Sequence, residues 1–196
     1  MAATAPLTRQ DRDADLDELQ LRADAYGVSL VPGDVTDKVL RRGERVVLRR
    51  PTRTLATRDL DTLTRWVGVP DAVFAEPHAE VLRAWLTHTR DDRLLSCAPA
   101  ELEALPGAMY RLLFDYVHGD SRRVAPLRAS LERWFGRFDV PLFSFRRVVV
   151  PAGAVLELEA TCPAVLLAHT IELATTARIV ARCSLNVDCV QLRHVD

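Results

Sequence analysis

The feature that most constrains the fold is a change in composition near residue 148. From Val148 to Asp196 the chain carries 8 charged residues in 49, whereas the preceding 147 residues carry 45. All 12 aromatic residues lie at or before Phe145, and no glycine follows Gly153. Apolar and polar side chains alternate with a period of two here, which is typical of strands with one face on a core. We therefore predict a β-rich C-terminal segment over residues 148–196.

Three alternating triplets in this segment resemble imperfect copies of one 14–15-residue unit. They read Leu-Glu-Leu from 156, Ile-Glu-Leu from 171 and Leu-Asn-Val from 185. Copies that stack would form a β-solenoid, whereas a meander or sandwich would also give short alternating strands. The absence of Asn-Gly and Asp-Gly pairs disfavours tight hairpins. The pattern favours short stacked strands, solenoid-like or in a sandwich, with six residues facing one core: Leu156, Leu158, Ile171, Leu173, Leu185 and Val187.

The first two-thirds of the chain is predicted to be mainly helical. Residues 1–14 are polar and acid-rich, and we expect a disordered arm there. Residues 15–56 are predicted as a helix from Asp15 to Tyr26 followed by a strand pair, and residues 57–147 as a helical region with apolar stripes. The predicted fold class is therefore α+β, with a helical N-terminal two-thirds and a β-rich C-terminal segment.

The composition and net charge of the chain indicate its cellular compartment and disfavour some classes of partner. The formal net charge is −1, so no global field attracts nucleic acid or membrane. No apolar stretch follows the first charged residues as in a signal peptide, and none is long enough to span a bilayer. We therefore expect a cytoplasmic location, no membrane association and reduced cysteines.

Catalytic sequence motifs are absent. The chain has no GxxxxGK[ST], GxGxxG, HExxH or GxSxG pattern. We therefore predict no catalytic residues and no cofactor, and favour a non-enzymatic protein. The alternative is an enzyme whose site is assembled from scattered residues, which leaves no local motif.

The one group of potential metal ligands lies in the β-rich segment. It contains three cysteines and two histidines, and there is no CxxC pair. When the units that contain the triplets are aligned, His169 and Cys183 occupy the same position. They would therefore be neighbours in a stacked fold. Because the ligand spacing is irregular, we predict no metal site, while metal binding by His169 and Cys183 stays an open alternative. The full group is Cys162, His169, Cys183, Cys189 and His194.

A basic stretch follows the acidic N-terminal region. Eight basic residues and one acid, Glu44, lie between Lys38 and Arg58, after 37 residues with eight acids and three arginines. A basic strand can bind phosphates, but no aromatic side chain lies nearby to stack on bases. A nucleic-acid-associated regulator is therefore the third hypothesis, and it is disfavoured. Its candidate patch is Arg41, Arg42, Arg45, Arg49 and Arg50.

The positive functional signal is the last strand-like run, Val187 to Val195. It contains no Gly, Pro or Lys, the residues that commonly protect the edge of a sheet. An unprotected strand attracts another strand through its free backbone groups. We therefore predict a structural or interaction protein that self-assembles or docks a protein partner through Val187, Val190, Leu192 and Val195.

Overall fold

A computed structural model describes residues 9–75, 79–87, 92–160 and 163–196. The chain forms two compact units. One combines the described residues up to Leu55 with Val140–Asp196, and the other is Ala56–Asp139. The helical unit is therefore inserted in the sequence between the two segments that form the β-containing unit. Strands from these two segments pair with each other although they are far apart in sequence.

The first unit opens with helix α1, Arg9–Ala23, which packs against two later strands, β6 (Ala164–Ala174) and β8 (Leu185–Val195). A short 3-10 turn, Asp24–Tyr26, continues it, and Gly27 ends the turn with a φ of 67°, where glycine is favoured. The helix thus begins at Arg9, before the predicted Asp15. Residues 1–8 of the predicted arm lie outside the described residues. Leu19 and Ala23 of this helix are completely buried.

Eight strands lie within the described ranges and form two sheets. The strands are β1 Thr36–Val39, β2 Arg45–Leu48, β3 Arg53–Thr57, β4 Phe138–Val150, β5 Val155–Leu158, β6 Ala164–Ala174, β7 Arg178–Ala181 and β8 Leu185–Val195. One sheet has the order β1-β4-β6-β8, with β3 also paired to β4, and the other has the order β2-β5-β7. The β1–β4, β4–β6, β6–β8, β2–β5 and β5–β7 pairs are all parallel.

From β4 onward the chain visits the two sheets in turn, and each visit adds a strand parallel to the previous one. We call one pass through both sheets a coil. Val148 of β4 pairs with Ile171 of β6, which pairs with Leu192 of β8. Positions that stack in one row therefore follow each other along the chain as 148, 171 and 192.

The predicted triplet repeat is therefore wrong, because it is shorter than one coil. The Leu156 triplet lies on β5 of one sheet, whereas the Ile171 and Leu185 triplets lie on β6 and β8 of the other. Within that sheet, Leu185 is opposite Ala164 and not opposite Ile171. Alternation looks the same on every strand, so it cannot identify which strands stack.

The predicted α+β fold class is also wrong, because the chain is α/β with parallel strands distributed along it. Three strands, β1 to β3, precede the inserted helices, and β1 and β2 pair with strands that follow them. β4 begins at Phe138, well before the predicted start of the β-rich segment. Short strands such as β1 and β2 carry little pattern of their own, and their partners lie beyond the inserted helices.

The core of the first unit consists mainly of aliphatic side chains, together with Phe143 and Phe145. Val148, Leu156 and Leu158 are fully buried, as are Leu166 and Ile171. Of the six residues predicted to face one core, Leu156, Leu158 and Ile171 are buried in it, and Leu173 and Leu185 pack against it. Val187 differs, because it is 46% exposed.

The second unit contains the remaining helices. Asp59 begins α2 by accepting a hydrogen bond from the Thr62 backbone N–H at 2.8 Å. Met109 and Leu112 of α6 are completely buried. None of the helices in the described ranges has both the length and the apolar character needed to span a bilayer. The helices are α2 Leu60–Val67, α3 Ala79–Leu86, α4 Asp92–Leu95, α5 Pro99–Glu103, α6 Pro106–His118, α7 Ser121–Val124 and α8 Arg128–Phe135.

Candidate functional site

The candidate site is the last coil, where side chains that would face the core are uncovered. In parallel strands, residues paired in register point to the same side of the sheet. Leu166 of β6 is fully buried, whereas Val187, its register partner on β8, is 46% exposed. Ile171 is likewise fully buried, whereas its partner Leu192 is 66% exposed. Residues of the same row are therefore buried in the coil that contains β6 and exposed in the coil that contains β8.

Two further residues of β8 belong to this row. Leu185 and Cys189 pair with the buried Ala164 and Ala168, and both are only partly covered. Burial raises the pKa of the Cys189 thiol, so the thiol stays protonated at neutral pH. We define the "β8 end" as the backbone edge of β8 together with Leu185, Val187, Cys189 and Leu192.

The backbone of β8 has an open edge. Within the described part of the chain, β8 pairs with β6 and with no other strand. The strand is 11 residues long and contains no proline, glycine or lysine. A long edge of free N–H and C=O groups beside apolar side chains is a surface that attracts another strand.

Helix α1 and the turn after it hold the outer face of β8 in place. Arg22 forms an ion pair with Asp188. The Tyr26 hydroxyl donates to the second carboxylate oxygen of Asp188 at 3.1 Å and accepts from the Asn186 amide at 3.2 Å. These bonds connect α1 with the last strand, so β8 presents a fixed edge.

The four residues predicted to bind a partner all lie on β8. Val187 and Leu192 are its most exposed large apolar side chains, whereas Val190 and Val195 are half-buried. Leu185 and Cys189 also belong to the surface and were not among the predicted residues. Their place in the row depends on register with β6, which no local pattern reveals.

The opposite end of the same sheet has a different character. β1 is only four residues long, and Lys38 pairs in register with Val148. Lys38 is the single lysine of the chain. Lys38 therefore belongs to the row of register partners that continues through Val148 and Ile171 to Leu192. We call the edge of β1 with Lys38 the "Lys38 end".

Two of the five arginines in the predicted basic patch, Arg45 and Arg49, form ion pairs within the first unit. Arg45 pairs with Glu157, which lowers the pKa of that carboxyl group, and Arg49 Nε donates to Glu159 at 2.9 Å. The Arg41 backbone N–H donates to Glu44. Arg42 and Arg50 are exposed. The predicted patch therefore carries less free positive charge than its sequence indicates.

His169 and Cys183 do not occupy equivalent positions, so the predicted adjacency is wrong. His169 lies within β6, whereas Cys183 lies between β7 and β8. The two ring nitrogens of His169 lie 3.0 Å from Thr170 Oγ1 and 3.0 Å from Glu18 Oε2. Cys162 lies outside the described residues. No metal-binding group of three His, Cys, Asp or Glu side chains occurs among the residues described.

A second polar feature is an open cleft of about 500 Å³ beside α1 and β1. Arg146 lines it and forms an ion pair with Asp37. The Arg146 Nη1 atom is buried without a hydrogen-bond partner and lies 3.9 Å from Asp15. The charged lining consists of two carboxylates, Asp13 and Asp37, and one guanidinium, Arg146, so it carries a net charge of −1 and does not favour an anion. The other lining residues are Asp13, Leu16, Pro32, Val35 and Thr36.

Comparisons of the chain with protein-family models, with curated proteins and with solved structures each find no match.

Proposed function

We propose that this protein is a non-enzymatic assembly component that self-associates through the β8 end. The observation that carries the proposal is the contrast within one row of residues. Leu166 and Ile171 are fully buried, whereas their register partners Val187 and Leu192 are exposed. A second copy placed on β8 would cover these side chains as the next coil would.

Two kinds of interaction support association at this surface. Fully burying a Val or Leu side chain contributes about 1.5–3 kcal/mol, and Val187 and Leu192 have much of their surface still to bury. Backbone hydrogen bonds along the open edge would each add about 0.5–1.5 kcal/mol. Because α1 already holds the outer face of β8, little conformational freedom is lost on binding.

The two alternatives have less support. The cleft beside Arg146 is lined by two aspartates, a threonine, an arginine and apolar residues but by no histidine, cysteine or serine, so its lining gives the enzyme hypothesis little support. The pairs of Arg45 and Arg49 with glutamates reduce the charge available for a nucleic-acid backbone. A cytoplasmic location remains part of the proposal, supported by Cys183 and Cys189, which form no disulfide within the described residues.

The test is the oligomeric state of the full chain at several protein concentrations, measured by light scattering. We expect association that weakens strongly in the double variant Val187→Lys/Leu192→Lys, because two ammonium groups would enter the apolar surface. The matched control is Leu21→Lys, which changes a 74% exposed leucine on α1. A parent that is strictly monomeric, or a double variant that associates as well as the parent, would contradict the proposal.

A further inference from the structure

We propose that the assembly is a closed two-fold pair in which β8 lies antiparallel to β8 of a second copy, while the Lys38 end stays free. This inference rests on the proposed function and adds the geometry of the partner. A surface that binds its own copy about a two-fold axis stops at two subunits, whereas a head-to-tail contact continues into a filament. The two ends of the sheet decide between these outcomes.

The first argument is the charge at the Lys38 end. In a head-to-tail stack, β1 of one copy would lie on β8 of the next, and Lys38 would meet the row that ends in Leu192. Covering an ammonium group with leucine removes its water and supplies no counter-charge. An inward-pointing charge on an edge strand is a known way in which proteins prevent edge-to-edge stacking. The Lys38 end is therefore protected against the contact that a filament needs.

The second argument is strand length. β8 is one continuous strand of 11 residues, whereas β4 pairs, besides β6, with two short strands, β1 of four residues and β3 of five. Head-to-tail stacking would place short, interrupted strands on the continuous edge of β8 and leave part of that edge unpaired. Antiparallel pairing of β8 with its own copy matches two edges of equal length, so more backbone groups find partners.

The third argument is the order of side chains along β8. Asp188 lies in the first half of the strand and Arg193 in the second half. Antiparallel pairing that sets Val187 opposite Leu192 of the second copy also sets Asn186 opposite Arg193. Parallel pairing of the two strands would instead set Asp188 against Asp188 and Arg193 against Arg193, and like charges directly opposite each other are unfavourable.

The first experiment compares one lysine at each end of the sheet by analytical ultracentrifugation. For Leu192→Lys we expect the dimer dissociation constant to rise at least about tenfold, because the charge enters the pair. For Val39→Lys, which changes a 60% exposed valine on β1, we expect less than about a twofold change. The parent should reach a dimer and grow no further with concentration.

The second experiment tests the pairing directly by disulfide trapping. Full chains with Val187→Cys and with Leu192→Cys are mixed under oxidising conditions, and linked peptides are identified by mass spectrometry. We expect the 187–192 link in the mixture and not in either variant alone, since opposite residues in antiparallel strands lie close enough to join.

The outcomes separate the two proposals. A strictly monomeric parent overturns the proposed function and this inference together. Species larger than a dimer, or loss of assembly in Val39→Lys, overturn the two-fold pair and leave self-association standing. A dimer without the 187–192 link overturns the antiparallel pairing.

Discussion

The two edges of the parallel sheet, the Lys38 end and the β8 end, differ in how they are protected against pairing with another strand. Within the described residues, each end leaves a row of core positions without a covering strand. At the first end the row stops at Lys38, on a strand of four residues. At the other end it stops at Leu192, on a strand of 11 residues that is held from behind by α1. The contrast supports the proposal that the β8 end is a contact surface, because the Lys38 end carries a protecting charge and the β8 end carries none.

The largest expected effect is a difference in stability between substituting a buried residue of β6 and substituting its exposed register partner on β8. Leu166→Ala should lower the free energy of unfolding by about 2–5 kcal/mol, because it leaves a cavity in a fully buried row. Val187→Ala, at the paired position on β8, should change the monomer by less than about 0.5 kcal/mol. Urea denaturation at low protein concentration measures both. Equal losses would show that the two coils are equally covered and would remove the basis of the comparison.

A smaller effect is expected where α1 holds β8. Tyr26→Phe removes the hydroxyl group that bonds to Asp188 and Asn186 and leaves the ion pair of Asp188 with Arg22. We expect a loss of about 0.5–1.5 kcal/mol in the free energy of unfolding. Tyr110→Phe is the control, because that side chain is 61% exposed. If the two variants unfold alike, α1 does not fix the outer face of β8 through this hydroxyl.

The smallest effect concerns the ion pair between β2 and β5. The hydrogen bond from Arg45 lowers the pKa of Glu157 in the folded chain. A lowered carboxyl pKa stabilises the fold above the unfolded pKa, and this stabilisation is lost as the pH falls through the folded value. The parent should therefore exceed Glu157→Gln in stability at neutral pH, and the difference should shrink as the pH is lowered toward about 3.

Denaturation of both proteins across that pH range measures the change. Glu159→Gln is the matched control, because the Arg49–Glu159 pair is more exposed to solvent. A parent-to-variant difference that stays constant or grows on acidification would show that Arg45 does not stabilise the charged form of Glu157.

Part of the core could be predicted without the structure, because burial on one face of a strand leaves a local pattern. Leu156, Leu158 and Ile171 alternate with polar residues, and all three are fully buried. The absence of Gly, Pro and Lys after Val187 predicts an unprotected strand, and the structure leaves Val187 and Leu192 exposed there. Both are properties of a few neighbouring residues, which local chemistry can specify.

The arrangement of strands could not be predicted in this way. The triplets suggest a repeat that is shorter than one coil, whereas the stacked positions are 148, 171 and 192, because each coil passes through two sheets. Arg45 pairs in register with Val155 across the inserted helical unit. Such pairing depends on which distant strand supplies the hydrogen bonds. The sequence of a short strand does not specify that partner.

The sequence by itself determined the alternation of side chains over residues 148–196 and the lack of protecting residues on the last strand. These follow from the chemistry of neighbouring residues. Only the tertiary structure decided that the sheets are parallel, that β1 and β2 join the C-terminal strands, and that Lys38 and Leu192 end the same row. The physical reason is that register between distant strands is set by hydrogen bonds and burial across the whole unit, which no short stretch of the chain encodes.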